Sequence, residues 1–411
     1  MSESVLSFED ALATVLEQAR GLSVPLQLER VPLQEVDERI LARPVTAERD
    51  QPPFDRATRD GYAVNLSAAA RSWRVIGSIR AGEAWRGEAL GTGEAIEIMT
   101  GAPVPGGADA VVMVEHVALE EDTVHLANDR QIHPGDNIVP RGAEAKTGDR
   151  LLPTGRVLRA AEIAVAASCG YSTLELFTRP RVAIVATGDE LVELHETPEP
   201  WQIRNSNSYA LSALVRGEGG IPEPLQIARD TREDLRERLA EASQSDLVVL
   251  SGGVSMGKHD LVEEILAERG AEFFFTGALI QPGKPVVFGR MRKDTTADAW
   301  TYFFGLPGNP VSTQVCFHLF VAPMLRAMAG RTEIAPAFVE ARLAESVRGG
   351  AKVTRFLPAE LSGSWNEVTV RIVGWQGSGD VAANARGNCY GVLPIGVEEH
   401  RAGETVRVLL R

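Results

Sequence analysis

Apolar positions recur three and four residues apart at Phe8, Leu12, Val15, Leu16 and Ala19, which predicts an amphipathic helix over 7–20. Ser7 suits its N-cap, with Asp10 three residues on as a variant of the capping box. Between 46 and 142 the period changes. Short apolar runs at 73–76, 95–99 and 110–114 are punctuated by Gly and Pro and read as a small β-rich domain. Residues 157–169 are Ala-rich and helical, and Gly170 is placed to end that helix. From Arg181 strands and helices alternate. Strands are expected at 182–186, 247–250, 286–288 and 302–304, and helices at 206–216, 231–242, 261–269 and 310–328. Such alternation predicts a multidomain α/β chain whose central, doubly wound, mostly parallel sheet carries helices on both faces. After Gly330, the segments 338–343, 354–361, 368–373 and 405–410 read as strands of a C-terminal β-barrel. The expected division is 1–45 with 143–178 as an elongated helical and β region, 46–142 as the small β-rich domain, 179–330 as the α/β domain and 331–411 as the barrel.

Composition narrows the class. A chain of 411 residues is too long for one core, and at ~100–200 residues per domain two to four domains are expected. A net charge of −14 argues against general nucleic-acid binding but not against a small anionic ligand, which local loops can hold. No apolar run approaches the ~20 residues of a membrane span. The first residues, Met-Ser-Glu-Ser-Val-Leu-Ser, have neither a basic n-region nor an apolar signal core. Cys169, Cys316 and Cys389 are far apart, so a disulfide framework or structural zinc site is not expected and a reducing cytoplasm fits.

The stretch from Asp246 to Asp260 is the most informative. Four apolar residues, Leu247 to Leu250, are followed by Ser251, Gly252, Gly253, Ser255 and Gly257, then by a helical pattern from Leu261. Strand, glycine loop and helix is how an α/β protein presents backbone N–H groups to an anion, and Asp260 adds a carboxylate where a cation could bridge to it. Three further loops join it: Thr187-Gly188-Asp189-Glu190, Gln281-Pro282-Gly283-Lys284-Pro285, and Gly305 through Ser312. Three of the four follow strands, so a parallel sheet would bring them to one rim. Any one of them alone is as well explained as a turn. Asp189 also suits a turn, and Asp230 a helix start, where an acid is favourable anyway. Glu190 and Asp260 lie inside the converging loops. Mg²⁺ prefers one or two carboxylates with water and phosphate oxygens, and the seven scattered His disfavour a His-bound zinc.

Together these residues resemble a known family. Leu-Ser-Gly-Gly-Val-Ser, Pro-Gly-Lys-Pro and Gly-Leu-Pro-Gly-Asn-Pro-Val-Ser are similar to motifs of the MoeA family, the molybdopterin molybdenumtransferases, which include the gephyrin E domain. Asp55-Arg-Ala-Thr-Arg-Asp-Gly-Tyr-Ala63 resembles the family's D-N-S-A-M-D-G-Y-A, and Ile98-Met-Thr-Gly-Ala-Pro-Val-Pro105 its I-M-T-G-A-P-[LV]-P. Five blocks agree in order over nearly the whole chain. The resemblance implies a MogA-like, molybdopterin-binding central domain and a homodimer joined through the 1–45 and 143–178 region. It further implies Mg²⁺-dependent insertion of molybdate into adenylylated molybdopterin, with release of AMP. The partners implied are a MogA-like molybdopterin adenylyltransferase and apo-molybdoenzymes, with no nucleic acid and no membrane.

By the same resemblance, Asp60 and Thr100 face the active cleft from the partner subunit. Glu190, Asp230 and Asp260 match acidic positions of the nucleotide and Mg²⁺ site, while Ser251, Gly252, Gly253 and Ser255 match the phosphate loop. Lys284, Pro285 and Ser312 match molybdate-proximal positions, with Gly283, Asn309 and Pro310 in the same loops. Arg355 and Ser378 match the barrel's contribution to the oxyanion pocket; they read equally as a solvated strand residue and a turn residue. Lys284, Arg355 and Ser378 carry the charge and hydroxyl chemistry that suits an oxyanion. The chain departs from the family at Gln281, where a lysine is usual. Arg56-Ala57-Thr58-Arg59 replaces Asn-Ser-Ala-Met, and Arg141-Gly142-Ala143-Glu144-Ala145 replaces R-G-E-D-I. Two other functions use the same fold: a non-catalytic, gephyrin-like scaffold, and a molybdopterin adenylyltransferase.

Overall fold

The computed structural model describes residues 4–22, 27–67, 70–253, 261–293, 299–350 and 352–411. Helix α1 (Phe8–Arg20) begins as its sequence dictates: the Ser7 hydroxyl accepts the Asp10 amide at 3.0 Å. Its buried stripe, Ala11, Val15 and Ala19, packs into the core of the central domain. The chain then enters strand β1 (Leu28–Pro32) and leaves for a six-stranded sheet. That sheet contains β2 (Gly61–Val64), β3 (Ser72–Ile79), β4 (Glu94–Ile98), β5 (Ala110–Met113), β6 (Val117–Glu120) and β7 (Thr123–Leu126), in the order β5-β2-β4-β3-β7-β6. Successive residues of β2 feed opposite cores, Ala63 packing with Ile96 and Ile98, and Tyr62 and Val64 with Trp73. The chain returns through α2 (Ala160–Ser168) to β8 (Thr173–Phe177), which pairs antiparallel with β1, Leu174 opposite Val31. Val31, Val36, Leu41, Leu152, Leu158 and Leu176 form one small core from the two stretches on either side of the inserted sheet.

The central domain follows in the expected alternation: β9 (Arg181–Ala186), α3 (Asn207–Gly217), β10 (Ile221–Pro224), α4 (Arg232–Ala242), β11 (Leu247–Ser251), α5 (Leu261–Glu268), β12 (Glu272–Phe275), β13 (Val287–Arg292) and β14 (Trp300–Leu306). The sheet order is β10-β9-β11-β14-β13-β12. The first four strands are parallel, and β13 runs antiparallel to both β14 and β12, so the sheet is mixed at one edge. Every residue of β11 is buried, as a strand covered on both faces requires. Val182, Ile184 and Val249 face α1 and α3, whereas Ala183, Val185 and Val248 face α4 and α5. Truncating Val249 or Phe304 would open a cavity on that face, at a cost of ~2–5 kcal/mol.

The long helix expected at 310–328 is present but not uniform. α6 (Pro310–Cys316) and α7 (Ala322–Met328) are joined by one π-helical stretch, Phe317–Val321, just ahead of Pro323. Pro323 has no N–H to give, so the ladder must loosen before it.

The C-terminal strands are β15 (Phe338–Leu343), β16 (Thr354–Gly363), β17 (Val368–Ile372), β18 (Cys389–Leu393) and β19 (Thr405–Leu410), with helix α8 (Val381–Arg386) before β18. They run β16-β17-β15-β19-β18, and β18 pairs back onto β16, which closes a five-stranded barrel. The short strand Ile280–Gln281 of the central domain adds beside β16, with Gln281 opposite Arg355. The barrel is thereby stitched to the loop that carries Lys284. Among the described residues no helix is long and apolar enough to cross a membrane.

Candidate active site

Sheet direction decides which loops meet. β9, β11 and β14 end on the same rim because they are parallel, and β13 begins there because it is antiparallel, Val287 lying opposite Gly305. All four loops singled out in the sequence therefore share one rim, including Gln281–Pro285, which precedes its strand. Their order follows the strand order. The acidic loop Thr187–Glu190 comes first, then the glycine loop after Ser251, then Pro307–Ser312, and last Lys284. At a strand spacing of ~4.8 Å, the three steps from β9 to β13 span roughly 14 Å.

The glycine loop lies directly on its neighbour. Gly252 adopts φ +95°, and a Cβ there would stand 2.4 Å from the Thr187 carbonyl oxygen. At Gly253 a Cβ would meet Thr187 Oγ1 at 2.7 Å. That hydroxyl is buried and lacks a hydrogen-bond partner among the described residues. The Gly252 N–H donates to the Leu306 carbonyl at 3.1 Å, which anchors the turn to β14. Asn207, at the start of α3, ties the second and third loops together: its Nδ2 donates to Ser251 Oγ and to the Gly308 carbonyl, both at 2.8 Å. Sequence reasoning missed Asn207, and named Thr187 only as the first residue of the acidic loop. The only hint was a short polar Asn-Ser-Asn run where a helix had to begin. Ser255 and Asp260 lie outside the described residues.

At the acidic end, Asp189, Glu190 and Asp230 come together. The Asp230 N–H donates to Asp189 Oδ1 at 3.3 Å, and Arg229 Nη1 reaches the carbonyls of Asp189 and Leu191, each at 3.4 Å. The Asp230 carboxyl is pushed above the usual carboxylate range, first by desolvation, then by the like charges of Asp189 and Glu190. A cation would relieve that repulsion. Among the described residues no group of three or more His, Cys, Asp or Glu stands ready for a metal. The donors on hand fit an ion that takes one or two carboxylates and completes its shell from phosphate oxygens, as Mg²⁺ does, and not one needing a closed protein cage.

The opposite end is cationic and tightly packed. Lys284 and Pro285 are half-buried and Gly283 is buried, with Cys316 Sγ 3.6 Å from the Gly283 carbonyl. Ser312 is buried in the first turn of α6, which starts at Asn309 with Pro310 in its first position. The barrel closes over this turn, where the Val311 N–H donates to the Ser378 carbonyl at 3.0 Å. Ser378 thus reaches the rim. Arg355 is adjacent by register, but its Nη1 is held by the Arg348 and Gly349 carbonyls at 2.7 and 3.4 Å, and burial pushes its guanidinium down from the ordinary value.

Asp60 and Thr100 form a separate unit in the small domain. Thr100 donates twice to Asp60 Oδ1, from its N–H at 2.7 Å and its hydroxyl at 2.8 Å, and the N–H and hydroxyl bonds hold the carboxyl below the usual range. Among the described residues no hydrogen bond or ion pair joins either to the rim loops. The two arginines of the 55–63 block have different fates. Arg56 Nη2 pairs with Glu144 Oε1 at 2.7 Å, so two departures from the family pattern, 88 positions apart, satisfy one another. Arg59 is exposed, and its Nη1 donates to the neighbouring Thr58 carbonyl at 3.3 Å.

Comparison with known proteins accounts for the chain end to end. Residues 6–170 match the model for "MoeA N-terminal region (domain I and II)", 183–327 that for "Probable molybdopterin binding domain" and 340–410 that for "MoeA C-terminal region (domain IV)". The molybdopterin molybdenumtransferase of Staphylococcus aureus is 35% identical over 379 residues, 90% of this chain and 88% of that protein. That of a Nostoc species is 34% identical, covering 98% and 93%, and that of Haemophilus influenzae 32% identical, covering 98% of each. The crystal structure of the molybdopterin biosynthesis MoeA protein from Pyrococcus horikoshii OT3 aligns with a TM-score of 0.81 at 29% identity, over 99% of this chain and 100% of that one. A second Pyrococcus MoeA structure aligns with a TM-score of 0.73 at 32% identity, over 99% of both. With the rim loops in place and all three family regions in order, the chain belongs to the MoeA family of molybdopterin molybdenumtransferases.

Proposed function

We propose that this chain is the molybdenum insertase of molybdenum cofactor biosynthesis. It would take adenylylated molybdopterin and molybdate, place the metal on the dithiolene and release AMP. The observation that carries this reading is the order along the rim: carboxylates, a glycine turn, then a lysine. A dinucleotide-like substrate with a diphosphate at its middle and an oxyanion delivered at one end needs that order. The glycine turn holds phosphate oxygens on backbone N–H groups. Lys284 and Ser312 receive molybdate, with Ser378 beside them. Glu190 and Asp230, with Asp260, would hold Mg²⁺, which supplies charge against the phosphate oxygens when bound. Asp60, kept ionised by Thr100, acts on the cleft of the partner subunit in a homodimer. A MogA-like adenylyltransferase is the supplier of the substrate, and apo-molybdoenzymes in the cytoplasm are the recipients of the product.

Purified protein given adenylylated molybdopterin, Mg²⁺ and molybdate should release AMP and yield cofactor that activates an apo-molybdoenzyme. Absence of molybdate-dependent AMP release at every Mg²⁺ concentration overturns the reading. Substituting Lys284→Ala should raise the molybdate concentration required while leaving AMP binding intact.

A further inference from the structure

The excursion that follows the acidic loop is built around an exposed tryptophan for which the fold has no use. Leu191–Val192 pairs in parallel with Ile203–Arg204, and the Ile203 N–H donates to the Glu190 carbonyl at 2.9 Å. The segment's backbone is therefore tied to the main chain of the acidic loop at Glu190. Trp201, two residues before Ile203, is 72% exposed, and Ile203 is 58% exposed. The Trp201 indole N–H makes no hydrogen bond and its ring meets no other ring among the described residues. The segment is nonetheless held firmly. Arg204 Nε donates to the Leu194 carbonyl and Nη2 to that of Glu196, at 3.3 and 3.2 Å, and the Glu199 N–H is received by Gln202 Oε1 at 3.0 Å. Pro198 and Pro200 stiffen the approach to the indole. A rigid aromatic face left in water, on a segment whose backbone is tied to the acidic loop, has the makings of a stacking platform, since ordering it in advance lowers the entropic cost of binding.

Resting on the reading above, the rim order says which ring would meet it. The dithiolene has to lie where molybdate arrives, at the Lys284 end. The diphosphate lies over the glycine turn, and the moiety beyond it extends past Glu190. We infer that Trp201 is the platform on which the purine of the adenylylated substrate stacks, and that Trp201 sets the preference for a nucleotide over a bare phosphate.

The test is binding of AMP and of ribose 5-phosphate to the full chain and to Trp201→Ala and Trp201→Phe, by calorimetry. Trp201→Ala should weaken AMP by about ten- to a hundredfold, the range for loss of a stacked base. Ribose 5-phosphate should be unaffected, and Trp201→Phe should restore most of the AMP affinity. Unchanged AMP affinity in Trp201→Ala, or equal losses for both ligands, overturns the proposal while leaving the insertase reading in place. Wild-type protein that binds neither AMP nor ribose 5-phosphate removes the reading and the proposal together.

Discussion

Two aspartates of this chain are prepared in opposite ways. Asp60 accepts two hydrogen bonds from Thr100 on one oxygen, which hold its carboxyl below the usual range. Asp230 is partly desolvated beside Asp189 and Glu190, and its carboxyl is pushed up. The first is complete within its own loop pair. The second carries unrelieved repulsion that a bound cation would remove. The proposed function would use both kinds: a charge whose position never varies, and a charge that is costly until its counter-ion arrives.

Removing each charge while keeping its shape tests the contrast most severely. Asp230→Asn should raise the Mg²⁺ concentration for half-maximal AMP release by at least the 10- to 100-fold typical of losing even an outer partner of a metal site. Asp60→Asn can still accept both Thr100 bonds, so it should lower turnover with little change in the Mg²⁺ requirement. If the two variants respond identically in an Mg²⁺ titration, the contrast is wrong. Mixing them comes next. In a dimer whose sites combine Asp230 of one chain with Asp60 of the other, random hybrids should recover about a quarter of wild-type activity, because half the dimers are hybrid and each has one intact site. No recovery would place both aspartates in one chain's site.

Acid should separate the pair more gently. A raised pKa means that Asp230 takes up its proton at a higher pH than the ~3.9 of an ordinary aspartate. Mg²⁺ affinity, which needs the carboxylate, should therefore fade early as pH drops through the acid range, and Asp230→Asn should flatten that slope in calorimetric titrations. Asp60, with its pKa lowered, should stay ionised across the same range. The smallest effect is expected from Thr100→Ala, which keeps the N–H bond and loses only the hydroxyl bond. About tenfold or less in kcat/KM, recovered by Thr100→Ser, fits the loss of one charge-assisted bond at an exposed position.

Local signals carried much of this architecture in the sequence. Ser7 with Asp10 marked a helix start that the amide-to-hydroxyl bond bears out. The apolar run after Asp246 marked a strand buried throughout. Strand direction was not legible. Nothing in residues 286–292 distinguishes a parallel from an antiparallel strand, yet that direction is what brings Lys284 to the same rim as the other loops. Strand β18, Cys389–Leu393, escaped because its centre is Gly391, which reads as a turn. Pairings across long separations, such as Asn207 with Gly308, have no local signature at all. Helices and buried strands are written locally, but the polar ties that set a site are decided only when distant loops meet.

The Arg56–Glu144 pair bears on how this chain could be recombined with its relatives. An exposed ion pair contributes little stability, ~0–1 kcal/mol, so either partner could be exchanged without unfolding the small domain. A hybrid that took the 55–63 block from this chain and the 141–145 block from a relative whose acids sit elsewhere would fold normally. It would nevertheless release a guanidinium four residues from Asp60. The damage would surface as altered ionic-strength dependence of catalysis, not as lost yield, and the two blocks are best transplanted as a single cassette.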